Sequence, residues 1–166
     1  MPLLLVLACE PDHSGDGLRG CLTTARLEDV QIQTWFLFGG AVDGAALLVV
    51  GDEEGQEHEA IVSIDGALVG GVVEGSLAVG GPVPMFLPDA GVQAVDLMSV
   101  YTGVASSVAA GAGLSTHHLE NERGVQIDVA LFELGVGARV AFEALGLTQE
   151  AAFTPRGDRA DSGGAE

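Results

Sequence analysis

Carboxylates and histidines are the side chains of this chain that are best suited to acid–base or nucleophilic chemistry. Asp96 stands where a helix is predicted to begin, a position at which aspartate commonly stabilises exposed N–H groups. His117 and His118 lie in a polar stretch and are interpreted as solvated loop residues, with catalytic acid or base as the alternative. His13 and His58 adjoin acids, but their spacing matches no metal site, so no metal is expected.

Apolar runs predict the elements that would position these side chains. Residues 3–8 form an uninterrupted apolar run, typical of a buried strand in a parallel sheet. Further strands are expected at residues 35–38, 45–50 and 67–73, with a short helix from the acids that begin at residue 52 to about residue 63. This order predicts an α/β fold: a partial Rossmann-like parallel sheet with flanking helices, followed by a helical segment and a strand–helix unit.

Four segments are expected along the chain. They are a sheet segment at 1–75, a Gly- and Pro-rich connector at 76–90, a helix–strand–helix segment at 91–150 and a flexible tail at 151–166. Within the third segment, residues 97–114 carry no charge and approach the length of a membrane span. Their Ser, Gly and Ala content and the lack of basic flanks predict a buried helix instead, so no membrane partner is expected.

The charge balance excludes one further class of partner. The 166 residues include 24 acids and six bases, all of them arginine, and the net charge is −18. Such a surface repels nucleic acid and anionic membranes. It is either an adaptation to a high-salt cytoplasm or an ordinary acidic solvated surface, and the second interpretation is favoured. Cys9 and Cys21 are expected to be free thiols, which predicts a reducing compartment, the cytoplasm.

Five segments of the chain, taken together, resemble a known enzyme family. Residues 123–133 (RGVQIDVALFE) are similar to the segment GRGQx[VI]DV[AS]Lx[DE] of the family III CoA-transferases, which include the α-methylacyl-CoA racemases. Residues 95–101 (VDLMSVY) resemble the helix start [VL]xDLxxGxY of that family. Further similar segments occur in the family's order at residues 9–20, 52–75 and 155–165.

The resemblance implies an enzyme that processes an acyl-CoA thioester, either a CoA-transferase or an α-methylacyl-CoA racemase. Asp96 would be the catalytic residue, as the nucleophile of a transferase or as one member of a racemase acid–base pair. Asp89 is a competing placement for this aspartate. Glu10, Arg19 and Gly124 would lie at the coenzyme A site, with the acyl-CoA as substrate.

Departures from the family's pattern leave open whether the chain is an active enzyme. Intact members are about twice as long, and the basic loop that holds the CoA phosphates corresponds here to residues 39–43, which contain no base. We therefore expect weak or no activity from this chain alone, and association as a homo-oligomer or as a complementing subunit. The alternative is a non-catalytic remnant or an acidic interaction module that binds a protein partner.

Overall fold

Side chains alternate between buried and exposed along most of the chain, with the period of two that a β-strand requires. The structure, a computed structural model, describes residues 9, 18, 20–36, 40–70, 72–89 and 91–157. Its strands are β1 (Thr24–Phe36), β2 (Gly40–Gly51), β3 (Glu57–Val69), β4 (Val72–Gly80), β5 (Val83–Phe86), β6 (Val100–Asn121), β7 (Gln126–Gln149) and β8 (Thr154–Pro155). The one helix among the described residues, α1, covers Ala94–Leu97.

All the strand pairings are antiparallel, and they close on themselves. β1 pairs with β2, β2 with β3, and β3 with the C-terminal part of β7. β4 and β5 lie between β1 and the N-terminal part of β7, which completes the ring. The sheet is therefore a closed antiparallel barrel.

β6 and β7 form the longest ladder of the barrel and carry its most unusual surfaces. The pairing runs without a break from Val100 opposite Gly146 to Glu120 opposite Gln126. β6 also turns back on itself near Gly111, so that Ser106 Oγ lies 2.7 Å from Thr116 Oγ1. A Cβ atom on Gly103 would overlap the carbonyl oxygen of His118, so glycine is required for this close approach. We call the contact between residues 103–108 and 113–118 the β6 seam.

Aliphatic side chains fill the barrel interior. Leu48, Ile64, Leu68 and Leu131 are each at most 2 % exposed, and truncating any of them to alanine should cost about 2–5 kcal/mol. Ile64 and Leu131 also line a cavity of about 30 Å³, which is room for one or two water molecules. The described part of the barrel interior is therefore closely packed around this small cavity.

The predicted α/β fold with its parallel sheet is wrong, because the described chain is almost entirely antiparallel strand. Residues 97–114, predicted as a buried helix, lie mostly in β6, and the described residues contain no helix of the length and apolarity needed to span a membrane. The second helix of the segment predicted at 91–150 is wrong too, because β7 extends from Gln126 to Gln149. The cause is that both faces of these strands carry apolar residues, which hides the period of two. The predicted first strand at 3–8 lies outside the described residues.

Cys9 and Cys21 form a disulfide with a Cα–Cα distance of 5.5 Å, so the prediction of free thiols is wrong. The bond joins residue 9 to the segment just before β1. Disulfides persist mainly in oxidising compartments. The cytoplasmic location was inferred from free thiols; it remains a prediction, and the disulfide does not favour it.

Candidate functional site

Asp96, the predicted catalytic residue, stabilises the short helix α1 and the turn that joins β6 to β7. Its Oδ2 accepts a hydrogen bond from the Gln93 N–H at 2.9 Å, which closes the start of the helix. Its Oδ1 lies 3.1 Å from Nε of Arg123 in an ion pair. Asn121 joins the two elements, since its Nδ2 donates to the Asp96 carbonyl oxygen at 3.0 Å. Each carboxylate oxygen of Asp96 thus has a partner within the fold.

The residues predicted to bind coenzyme A are only partly placed. Gly124 lies in the turn between β6 and β7 with φ of 78°, and its N–H donates to the Asn121 carbonyl oxygen at 3.0 Å. This positive φ explains the glycine at that position. The structure brings Gly124 and Asp96 to the same turn region through Asn121. Glu10 and Arg19 lie outside the described residues.

A buried polar cluster of three residues occupies the interior beneath the β6 seam. His117 Nδ1 lies 2.6 Å from Glu143 Oε2, and His117 Nε2 lies 3.2 Å from Ser115 Oγ. Ser115 is 0 % exposed, and His117 and Glu143 are 3 % exposed. His117 was predicted to be a solvated loop residue, and that prediction is wrong. The alternation of Ser115, His117 and Leu119 with exposed residues was the signal available in the sequence.

The order carboxylate, imidazole, hydroxyl in this cluster is that of a serine-hydrolase triad. Catalysis would require the Ser115 hydroxyl to reach a substrate carbonyl, but the residue is fully buried. The cavity that His117 lines is otherwise apolar or aromatic and has only about 30 Å³. The cluster instead joins β6 to β7 from inside the barrel, because His117 reaches across Gly103 to the residue paired with it, Glu143.

Two more polar side chains of β6 and β7 are buried. Glu133 is 1 % exposed and Ser107 is 4 % exposed. Glu133 Oε2 and Ser107 Oγ have no hydrogen-bond partner in the described structure. A buried oxygen without a partner costs about 1–3 kcal/mol. The inner side of β6 and β7 therefore contains several buried polar groups among its apolar side chains.

The outer side of the same two strands, together with Val69 at the end of β3, is apolar and exposed. Nine large side chains form this surface, which we call the apolar face: Val69, Val104, Val108, Leu114, Phe132, Leu134, Val136, Val140 and Phe142. Their exposure ranges from 42 to 72 %. The register makes them contiguous, since Phe142 lies opposite Val104 on one side and Val69 on the other. No charged residue occurs in β6 between positions 100 and 116.

An open groove of about 610 Å³ runs along the apolar face at the β6 seam. Val108, Leu114 and Val140 provide its apolar wall, while Ser106 and Thr116 bond to each other across it. The hydroxyl–hydroxyl contact leaves these groups largely satisfied. The groove therefore adds depth to an apolar surface rather than a charged binding site.

The described arginine side chains lie away from the apolar face, and each is bound by carboxylates. Arg26 bonds Glu57 at 2.6 Å and 3.1 Å and Glu28 at 2.8 Å, and Arg156 bonds Glu28 twice at 2.9 Å. The bonds from Arg156 and then Arg26 lower the pKa of Glu28 to about 2. With Arg123 paired to Asp96, none of these three guanidinium groups is left to bind a phosphate.

A second His–carboxylate pair stabilises the turn between β2 and β3. Asp52 Oδ1 accepts hydrogen bonds from the N–H groups of Glu54 and Gln56, and its Oδ2 lies 2.9 Å from Nε2 of His58. The bond to His58 is the main cause that lowers the pKa of Asp52. Across the described part of the chain, no three His, Cys, Asp or Glu residues are placed to hold a metal ion.

Comparisons of the chain with protein-family models, with curated proteins and with solved structures find no match. The resemblance to the family III CoA-transferases therefore stays a hypothesis. Its two main segments adopt structures other than the helix and strand–helix unit that it implies. Residues 95–101 hold most of a four-residue helix and the start of β6, and residues 123–133 are a turn followed by the start of β7.

Proposed function

We propose that this chain is an acidic interaction module that assembles with further copies of itself through the apolar face. The observation that carries the proposal is a contiguous apolar surface, without a charged residue at positions 100–116 of β6, on a molecule whose net charge is −18. Exposed apolar patches of this kind commonly mark interaction sites. The partner of this interaction module is a second copy of the same chain.

The size of the apolar face supports this assignment. At 42 to 72 % exposure, its nine side chains present roughly 1,000 Å², if a fully exposed Val, Leu or Phe presents about 150–250 Å². The largest apolar patch of a typical monomer is about 300–600 Å². A standard stable interface buries about 800 Å² on each partner. One apolar face is thus large enough for a stable contact.

The charge distribution determines which surface a second copy can contact. Any other copy carries the same −18 charge, so contact through the acidic surface would bring carboxylates together. Two apolar faces can meet in an isologous, two-fold contact. Residues 100–116 of β6, which include no charged residue, would lie at its centre. The resulting interface would have an apolar core and an acidic rim.

The acyl-CoA hypothesis has less support among the described residues. A CoA site needs bases for its phosphates, and the described guanidinium groups of Arg26, Arg123 and Arg156 are already bound by carboxylates. Asp96 is itself one of those partners. These contacts favour the interaction module.

Sedimentation velocity on the wild type and on Val136→Glu tests the proposal, at about 0.1 mM protein in about 1 M NaCl, where charge repulsion is screened. Val136 is 62 % exposed in the apolar face. A charge there would have to be desolvated in the contact, so we expect an assembled wild type and a monomeric variant.

Ile61→Glu is the matched control, because Ile61 is a 51 % exposed strand residue outside the apolar face. It introduces the same charge and should leave assembly unchanged. A monomeric wild type under these conditions, or equal assembly of all three proteins, would contradict the proposal.

A further inference from the structure

We infer that self-assembly through the apolar face is switched by ionic strength, tightening as salt concentration rises. The inference rests on the proposed function and adds its regulation. It starts from charges that the fold leaves without counter-charges. Nine exposed acids take part in no ion pair with another described side chain: Asp29, Asp43, Glu53, Glu54, Asp65, Asp89, Glu120, Glu122 and Glu150.

The few bases cannot offset these acids. Arg26, Arg123 and Arg156 each sit within ion pairs, which consume their charge locally. The remaining negative charge of one copy therefore faces the negative charge of any approaching copy. This repulsion acts at a distance, before the apolar faces touch.

Two exposed acids would lie at the rim of the contact. Asp65 is exposed on β3, the strand that ends at Val69 of the apolar face. Asp128 is exposed on β7, four residues before Phe132, and is paired with the exposed His118. An isologous contact brings the rim of one copy beside the rim of the other. Like charges then come within the distance over which salt screens their repulsion.

The range of screening decides how strong the switch is. The Debye length falls from about 10 Å at 0.1 M to about 3 Å at 1 M salt. We treat two copies as spheres of about 20 Å radius with a net charge of −18 each. The screened Coulomb repulsion between them then falls enough, from 0.1 to 1 M salt, to tighten the dissociation constant on the order of 100-fold. Apolar contact itself is not weakened by salt. An interface held by ion pairs would show the opposite sign.

The experiment measures the dissociation constant of the wild type by sedimentation velocity from about 0.05 to 1 M NaCl, a range in which the screening length changes severalfold. We expect tightening on the order of 100-fold between 0.1 and 1 M, and the same result in KCl. A dissociation constant that stays level or rises with salt overturns the inference, while assembly itself would still stand. A monomer at every salt concentration overturns both proposals.

A charge-reduced variant gives a second, quantitative readout. Asp43→Asn, Glu53→Gln, Glu54→Gln and Glu122→Gln together change four exposed acids away from the apolar face and bring the net charge from −18 to −14. Repulsion scales with the square of the net charge, so the salt slope should fall to about 0.6 of the wild-type slope. An unchanged slope overturns the inference.

Far-UV circular dichroism at each salt concentration separates assembly from folding. We expect the β-sheet signal to remain constant while the oligomer dissociates. A loss of that signal in step with dissociation would assign the salt dependence to folding and overturn the inference.

Discussion

Removing the carboxylate of Glu143 should destabilise the protein strongly, because it leaves His117 buried without its main partner. The two side chains are 1 and 2 % exposed and lie 2.6 Å apart. Breaking a buried pair of this kind costs about 3–5 kcal/mol, and a whole domain is stable by only about 5–15 kcal/mol. Glu143→Ala should therefore lose a large fraction of the free energy of unfolding.

Graded substitutions separate the contributions within the buried polar cluster. Glu143→Gln keeps an oxygen that can accept from His117 Nδ1–H, so it should cost only about 1–2 kcal/mol. The double variant His117→Leu with Glu143→Leu removes both polar groups and should recover much of the loss. The double variant and its two single variants form a double-mutant cycle. We expect this cycle to give a coupling free energy above about 1.5 kcal/mol between His117 and Glu143.

Urea unfolding followed by far-UV circular dichroism measures these differences, provided that the slope m stays constant across the variants. Glu150→Ala is the matched control, since Glu150 is an exposed glutamate just after β7. It should change the free energy of unfolding by no more than about 0.5 kcal/mol. If Glu143→Ala costs as little as this control, the buried polar cluster does not stabilise the barrel.

Two further predictions concern the charged residues. Glu28 has a pKa lowered from 4.5 to about 2, so its stabilising effect is fully present above pH 4.5 and is lost as the pH falls towards 2. The ion pairs of Glu28 with Arg26 and Arg156 are partly solvated. The difference in unfolding free energy between the wild type and Glu28→Gln should therefore be about 1–2 kcal/mol at pH 6 and should vanish near pH 2. A difference that persists in acid would refute the stabilising role of the ionised Glu28. Isothermal titration with acetyl-CoA should give no saturable heat at about 1 mM ligand, since Arg26, Arg123 and Arg156 are held by carboxylates; saturable heat would revive the acyl-CoA hypothesis.

Some local structure could be predicted from the sequence. The apolar run at 45–50 was interpreted as a strand and lies within β2. Short β-branched runs of this kind favour strands whatever their partners are. The partners themselves were beyond reach, because pairings such as Val62 with Gln149 join residues far apart in the chain. A parallel sheet was inferred where the pairing is antiparallel.

The candidate site was missed for a different physical reason. Sequence patterns assume that the buried side of a strand is apolar and the exposed side polar. Along β6, Ser115 and His117 point inwards while Val108 and Leu114 point outwards, which reverses that rule. A pattern read with the usual polarity therefore placed His117 in solvent and took the apolar outer residues as part of a helix.

The reversed placement of polar and apolar side chains on β6 and β7 has two energetic costs for a single copy. Burying Glu133 Oε2 without a hydrogen bond is unfavourable, and so is exposing Phe142 at 72 %. An isolated barrel bears both costs on the same two strands, and neither is offset by a contact of the described residues. Covering the apolar face removes the second cost only. The buried polar groups of β6 and β7 then remain as the part of the fold that assembly does not explain, and we expect the bond between His117 and Glu143 to stabilise the single copy.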